Sequence, residues 1–96
     1  MPAPLEIRVL NIAATGWTPV VVPFDCSSMA IKNTSGSASV RMRTDAQDAN
    51  TEDVLGPGVE QTFAVPFHRY RFTANSQPLW LQTSVGSASV VLKFLV

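Results

Sequence analysis

Along this chain apolar and polar residues alternate with a period of two, in short runs cut repeatedly by glycine, proline, asparagine and serine. Alternation of that kind places successive side chains on opposite faces of an extended strand. A chain patterned this way must bury one face of each strand against a second sheet or close into a barrel. Leu5-Glu6-Ile7-Arg8-Val9 alternates cleanly and continues into Leu10-Asn11-Ile12. Pro19-Val20-Val21-Val22-Pro23 is a β-branched run bounded by prolines, which cannot donate to a sheet ladder, so an edge strand is expected there.

Further strands are expected at Met29–Asn33, at Ala38–Arg43 with Val40 and Met42 inward, at Gln61–Val65, Tyr70–Ala74, Leu79–Thr83 and Ala88–Leu95. Val54-Leu55 runs into the tight turn Gly56-Pro57-Gly58, and the polar stretch from Asp45 to Asp53 reads as a long loop. About seven to nine short strands with turn signals every ~8–12 residues indicate an all-β, antiparallel β-sandwich or jelly-roll-like fold. The apolar phase of the runs nominates Ile7, Val9, Ile31, Val40, Met42, Phe63, Phe72, Leu81, Val90, Leu92 and Phe94 as the core. At 96 residues there is room for one domain over 1–96, with residues 1–4 expected to form an extended, proline-rich arm.

Gly36-Ser37-Ala38-Ser39-Val40 recurs as Gly86-Ser87-Ala88-Ser89-Val90. The repeat predicts two similar hairpins in which glycine supplies a positive φ. It arises by duplication, as two equivalent turns at one end of the sandwich, or by convergence of turn chemistry.

One cysteine, Cys26, excludes an intrachain disulfide, and no Cys/His cluster implies structural zinc. Stability must come from the core, helped by any oligomer interface. Only 15% of residues are charged, against the roughly 25% usual for soluble domains. A surface poor in long charged side chains is cheap to desolvate, as interfaces are. Net charge is zero and the arginines form no stripe, so nucleic acid is not an expected partner. No apolar run is long enough for a membrane helix, and the N-terminal residues show no signal-peptide pattern.

Chemistry has few footholds. Cys26 and His68 lack a third orienting group or an oxyanion motif, so neither is expected to be catalytic and the chain reads as a non-enzyme without a cofactor. Asp45, Asp48, Asn50, Glu52 and Asp53 supply oxygens but miss the EF-hand spacing, and a solvated loop is expected rather than a metal site. Asn33-Thr34-Ser35 fits a glycosylation sequon. Trp17, Trp80, Tyr70 and Phe67 offer a sugar-stacking platform if they face outward, and core aromatics if they do not.

The run Cys26-Ser27-Ser28-Met29-Ala30-Ile31-Lys32-Asn33 opens a strand after a cysteine and two polar residues, and Leu55-Gly56-Pro57-Gly58-Val59-Glu60-Gln61-Thr62-Phe63 has a Leu-x-Pro-Gly-x-x-x-x-Phe pattern. With the apolar final strand, this order over residues 26–96 resembles small β-sandwich proteins of tailed-phage virions: capsid decoration or cement proteins and base domains of head fibres. The resemblance implies a virion location after assembly in the host cytoplasm, self-association as a trimer or dimer, and docking on a major capsid or other virion protein. A carbohydrate-binding or adhesion module is the alternative. The expected interface residues are Val91 and Leu95, on the far side of the last strand, and Val20, Val21 and Val22, as an apolar edge.

Overall fold

The computed structural model describes residues 5–47, 52–64 and 72–95. Among these residues eight strands are present: β1 (Leu5–Ala13), β2 (Thr18–Val20), β3 (Ser28–Asn33), β4 (Val40–Arg43), β5 (Asp53–Leu55), β6 (Glu60–Ala64), β7 (Leu79–Thr83) and β8 (Ser87–Leu95). They form two four-stranded antiparallel sheets, ordered β1-β8-β3-β6 and β2-β7-β4-β5. Among consecutive strands only β4 and β5 pair; every other connection crosses from one sheet to the other. That is the strand order of a jelly roll, with two interlocked Greek keys.

The core lies between the sheets. The first contributes Ile12, Met29, Ile31, Val90, Leu92 and Phe94, and the second Val20, Val40, Met42, Leu55, Leu79 and Leu81. Val22 and Cys26 close it from the β2–β3 connection. Phe63 and Phe72 pack against it while partly exposed. Seven of the eleven expected core residues are therefore fully inside: Ile31, Val40, Met42, Leu81, Val90, Leu92 and Phe94.

Ile7 and Val9 are a correction. Both point to solvent, at 57% and 67% exposure. The inward phase of β1 is the even one, where Leu10 and Ile12 turn toward the core. The pairing of β1 with β8 fixes this, because Val9 lies opposite Val91 and Leu10 opposite buried Val90. Residues directly opposite in an antiparallel pair share a face.

The repeated Gly-Ser segments are a second correction. Neither closes a hairpin: the first leads from β3 to β4 and the second from β7 to β8, in both cases from one sheet to the other. They lie together at one end of the sandwich, where Ser84 N–H donates to Ser39 O at 2.9 Å and Thr34 N–H to Ser89 O at 3.3 Å. Gly86 has a positive φ of 56°, whereas Gly36 has an ordinary backbone and needs no glycine on that account.

Asn33 is the fastener of that end. It is fully buried. Its Nδ2 donates to Ala38 O at 2.7 Å, Leu55 O at 3.2 Å and Gly56 O at 3.2 Å, and its Oδ1 accepts from Ser35 N–H at 3.0 Å. Its main chain adds bonds to Val59 and Gly58. One side chain thus ties the end of β3 to the crossover into β4 and to the β5–β6 turn. The sequon is consequently closed in the folded chain, since the nitrogen a glycan would occupy is inside and engaged.

Cys26 sits in an isolated bridge with Phe72, and the neighbouring Asp25 Oδ1 accepts from Ala74 N–H at 2.8 Å. Nearby, Asn75 N–H, from a residue at φ 65°, donates to Val22 O at 2.7 Å, and Val22 N–H donates to Ser76 O at 3.0 Å. Residues 22–26 are laced to residues 72–76 in place of a regular strand pair.

Candidate functional site

The outward face of the first sheet is built by register. Leu5, Leu95 and Ser28 form one row across β1, β8 and β3; Ile7, Lys93 and Ala30 form the next; Val9, Val91 and Lys32 form the third. β8 is apolar in both phases, so filling the core with Val90, Leu92 and Phe94 leaves Val91 and Leu95 outside. The reversed phase of β1 brings Leu5, Ile7 and Val9 beside them.

The one charge in the middle of this patch is drawn aside. Lys93 Nζ meets Glu60 Oε2 at 3.0 Å, two strands away on β6. The pair is diagonal across β3, where Ala30 lies opposite Lys93 and Lys32 opposite Glu60. The ammonium group therefore sits toward β6, and the β1–β8 side of the face remains aliphatic.

Leu5 and Leu95 are 43% and 45% exposed, and Val91 is half-buried. With Ile7 and Val9 they present on the order of 400 Å² of apolar surface, as much as the largest patch on a typical monomer. Covering that area returns roughly 10 kcal/mol at ~25 cal/mol/Å². That is comparable with the ~4–15 kcal/mol that association costs in lost freedom. One such patch is thus marginal alone and effective when several copies dock together.

The other expected interface residues divide. Val20 and Val22 are fully buried and belong to the core, which corrects their assignment to a surface edge; Val21 alone of the three faces out, at 41% exposure. β2 is an edge strand, as its prolines suggest. Between the edge strands β1 and β2 lies a cleft of about 290 Å³ lined by Arg8, Val9, Leu10, Pro19, Val21 and Leu92.

The outward face of the second sheet is different in kind. Trp80 lies in register between Pro19 and Arg43, and Gln82 beside Arg41. The Arg43 guanidinium stacks 4.4 Å above the Trp17 ring. It also donates to Glu52 Oε1 through Nε at 2.9 Å and Nη2 at 2.7 Å, and to Ala46 O through Nη1 at 3.0 Å. Arg43 thereby ties both Ala46 and Glu52 to the end of β4. Trp17 and Trp80 are each half-buried, with the Trp17 ring under Arg43. Tyr70 and Phe67 fall outside the described residues.

A polar depression of about 340 Å³ at the Gly-Ser end is lined by Asn11, Thr34, Ser35, Ser87, Ala88 and Ser89. Three of its hydroxyls are engaged within the chain: Ser89 Oγ donates to Asn11 Oδ1 and Thr34 Oγ1 to Ser89 O, both at 2.7 Å, and Ser35 Oγ accepts from Ala38 N–H at 2.9 Å and Ser37 N–H at 3.2 Å. Its lining contains no group that titrates near neutral pH.

Cys26 is buried, and burial, with the charge of Asp25 behind it, pushes its thiol pKa up. A thiol held protonated is a poor nucleophile. His68 lies outside the described residues, as do Asp48 and Asn50. Among the described residues no three His, Cys, Asp or Glu side chains are grouped to hold a metal. Glu52 is engaged by Arg43, and Asp45 Oδ1 accepts from Gln47 N–H. No helix among the described residues is long and apolar enough to cross a membrane.

The chain matches no protein-family model, and a search of curated proteins finds no match.

Proposed function

We propose that this protein is a non-enzymatic structural component of a bacteriophage virion, a capsid decoration, cement or fibre-base protein that self-associates and docks on the protein shell. The observation that carries the reading is the aliphatic face of Leu5, Ile7, Val9, Val91 and Leu95 on a rigid sheet. A flat, preformed surface loses little entropy when it is covered. The jelly-roll order recurs in viral capsid and lectin domains, which supports the reading by analogy of fold. The low charge content points the same way.

The test is co-sedimentation with purified phage capsid shells. Saturable binding at a fixed number of copies per capsomer is expected, and a Val9→Glu, Leu95→Glu variant should bind at least tenfold more weakly. Failure to bind any shell, with a monomer in solution, would remove the proposal.

Trp80 and Trp17 on the opposite face favour one second reading, a carbohydrate-binding or adhesion module. Titration with neutral oligosaccharides, followed by tryptophan fluorescence, decides it: a saturable shift abolished by Trp80→Ala would install that reading instead.

A further inference from the structure

β1 has β8 on one side and, among the described residues, no strand on the other. A long edge strand with aliphatic side chains is a template for pairing with another chain. β1 also carries two charges on its core-facing phase. Glu6 and Arg8 lie in register with buried Phe94 and Leu92. Arg8 Nε stands 2.8 Å from Glu6 Oε2. That oxygen nonetheless takes no aligned hydrogen bond and is shielded from water, alone in this among the side-chain atoms of the described residues. Both side chains remain substantially exposed, Arg8 at 49% and Glu6 at 37%, so their charges are available to a chain that pairs along this edge.

We propose that β1 pairs antiparallel with β1 of a second copy of this chain, about a two-fold axis through Ile7. The proposal rests on the reading of the chain as a self-associating part and specifies how it does so. A two-fold axis perpendicular to the sheet sets one residue opposite itself, and the charges select which. Centred on Ile7, Glu6 of each copy faces Arg8 of the other, and Leu5 faces Val9. Centred on Glu6 or on Arg8, like charges meet. Centred on Val9, Glu6 faces Ile12 and Arg8 faces Leu10, so each charge is set against an aliphatic chain. The Ile7 register alone pairs both charges, bringing a second guanidinium to the exposed part of the Glu6 carboxylate. Opposite charges directly across an antiparallel pair stabilise it, and like charges oppose it.

The same two residues make other registers unfavourable, so the edge closes in a dimer rather than propagating. Pairing joins the two first sheets into one of eight strands. The Leu5, Ile7 and Val9 stripes then meet across the axis and form one continuous aliphatic band, which doubles the docking surface.

Charge reversal with mixing tests this register. By sedimentation velocity at micromolar concentration the wild-type chain of 10.4 kDa should run as a dimer. Glu6→Arg sets arginine against arginine, and Arg8→Glu sets acid against acid; each should weaken the dimer at least tenfold. An equimolar mixture of the two variants should recover the dimer, because every facing pair is again opposite in sign. The double reversal in one chain should recover it too. Recovery on mixing cannot come from variants that merely fail to fold. A mass unchanged by both single reversals, or a mixture no heavier than its parts, would overturn the pairing. A wild-type monomer that still coats shells would overturn it as well, while leaving the docking reading intact.

Discussion

Replacing Asn33 separates a fastened sandwich end from an ordinary turn. Its amide nitrogen has two protons and serves three carbonyl oxygens, those of Ala38, Leu55 and Gly56, while its oxygen satisfies Ser35 N–H. Asn33→Ala removes all of these in a fully buried place. At about 1 kcal/mol net per bond, and more for a group left unsatisfied, the expected loss is about 2–4 kcal/mol. That is a large part of the ~5–15 kcal/mol available to a small domain. Asn33→Asp keeps the shape and the acceptor for Ser35 but points a carboxylate oxygen at three carbonyls, so at pH 7 it should be worse than alanine. The sign with pH follows. In the folded variant the new carboxyl is favoured in its protonated, donating form, so its folded pKa lies above its unfolded value. The folded state then binds more protons over that window. Stability of this variant should therefore be highest below about pH 4 and be lost as pH rises through the raised folded value. Urea unfolding read by tryptophan fluorescence measures it: at ~1 kcal/mol per molar urea the alanine midpoint should fall by about 2 M or more. An alanine loss below ~1 kcal/mol, or an aspartate milder than alanine at pH 7, would refute the fastening role.

Three further outcomes are expected. Leu92→Ala should cost about 2–5 kcal/mol in the same assay, because the side chain fills the centre of the core; a loss under ~1 kcal/mol would contradict the burial of that face. Gly86→Ala should cost about 1–2 kcal/mol through its positive φ, whereas Gly36→Ala, in open space with ordinary backbone, should change stability by less than about 0.5 kcal/mol; equal effects at the two glycines would contradict the difference between the repeats. Cys26→Ser should leave shell binding unchanged, and Cys26 should react with a thiol reagent only as fast as the chain unfolds, since burial and the Asp25 charge hold the thiol protonated; rapid labelling of the folded protein at pH 7 would contradict this.

The sandwich was legible because alternation survives in nearly every strand. Val40 and Met42 inward with Arg41 outward needed only the pattern. β1 was misread because Leu5-Glu6-Ile7-Arg8-Val9 puts its charges on the phase that enters the core side, against the usual sense of amphipathic strands. The correcting signal lies in the next residues: Leu10 and Ile12 continue the even phase, and β8 supplies apolar partners on both faces. Val20 and Val22 were legible by the same rule, since alternation in a valine run leaves Val21 alone outside. The Gly-Ser repeat shows where the chain turns but not whether it returns to the same sheet, which depends on strands far away in sequence. Asn33 reads locally as a sequon. Its role emerges only when Leu55 and Gly56 arrive from more than twenty residues downstream. The candidate face was half visible, as Val91 and Leu95; the β1 half was hidden by the same error of phase that misplaced Ile7 and Val9.

The aliphatic face itself can be probed by placing a cysteine on it. Leu95→Cys lies on that face and away from the β1 edge, at a position 45% exposed, while Val54→Cys lies on the opposite sheet at a position 53% exposed; native Cys26 is buried. In the free protein both should react with maleimide at similar rates. On shells, the Leu95→Cys thiol should slow by at least tenfold while the Val54→Cys thiol keeps its rate. Protection at Val54→Cys with full reactivity at Leu95→Cys would contradict the assignment of the first sheet as the docking face.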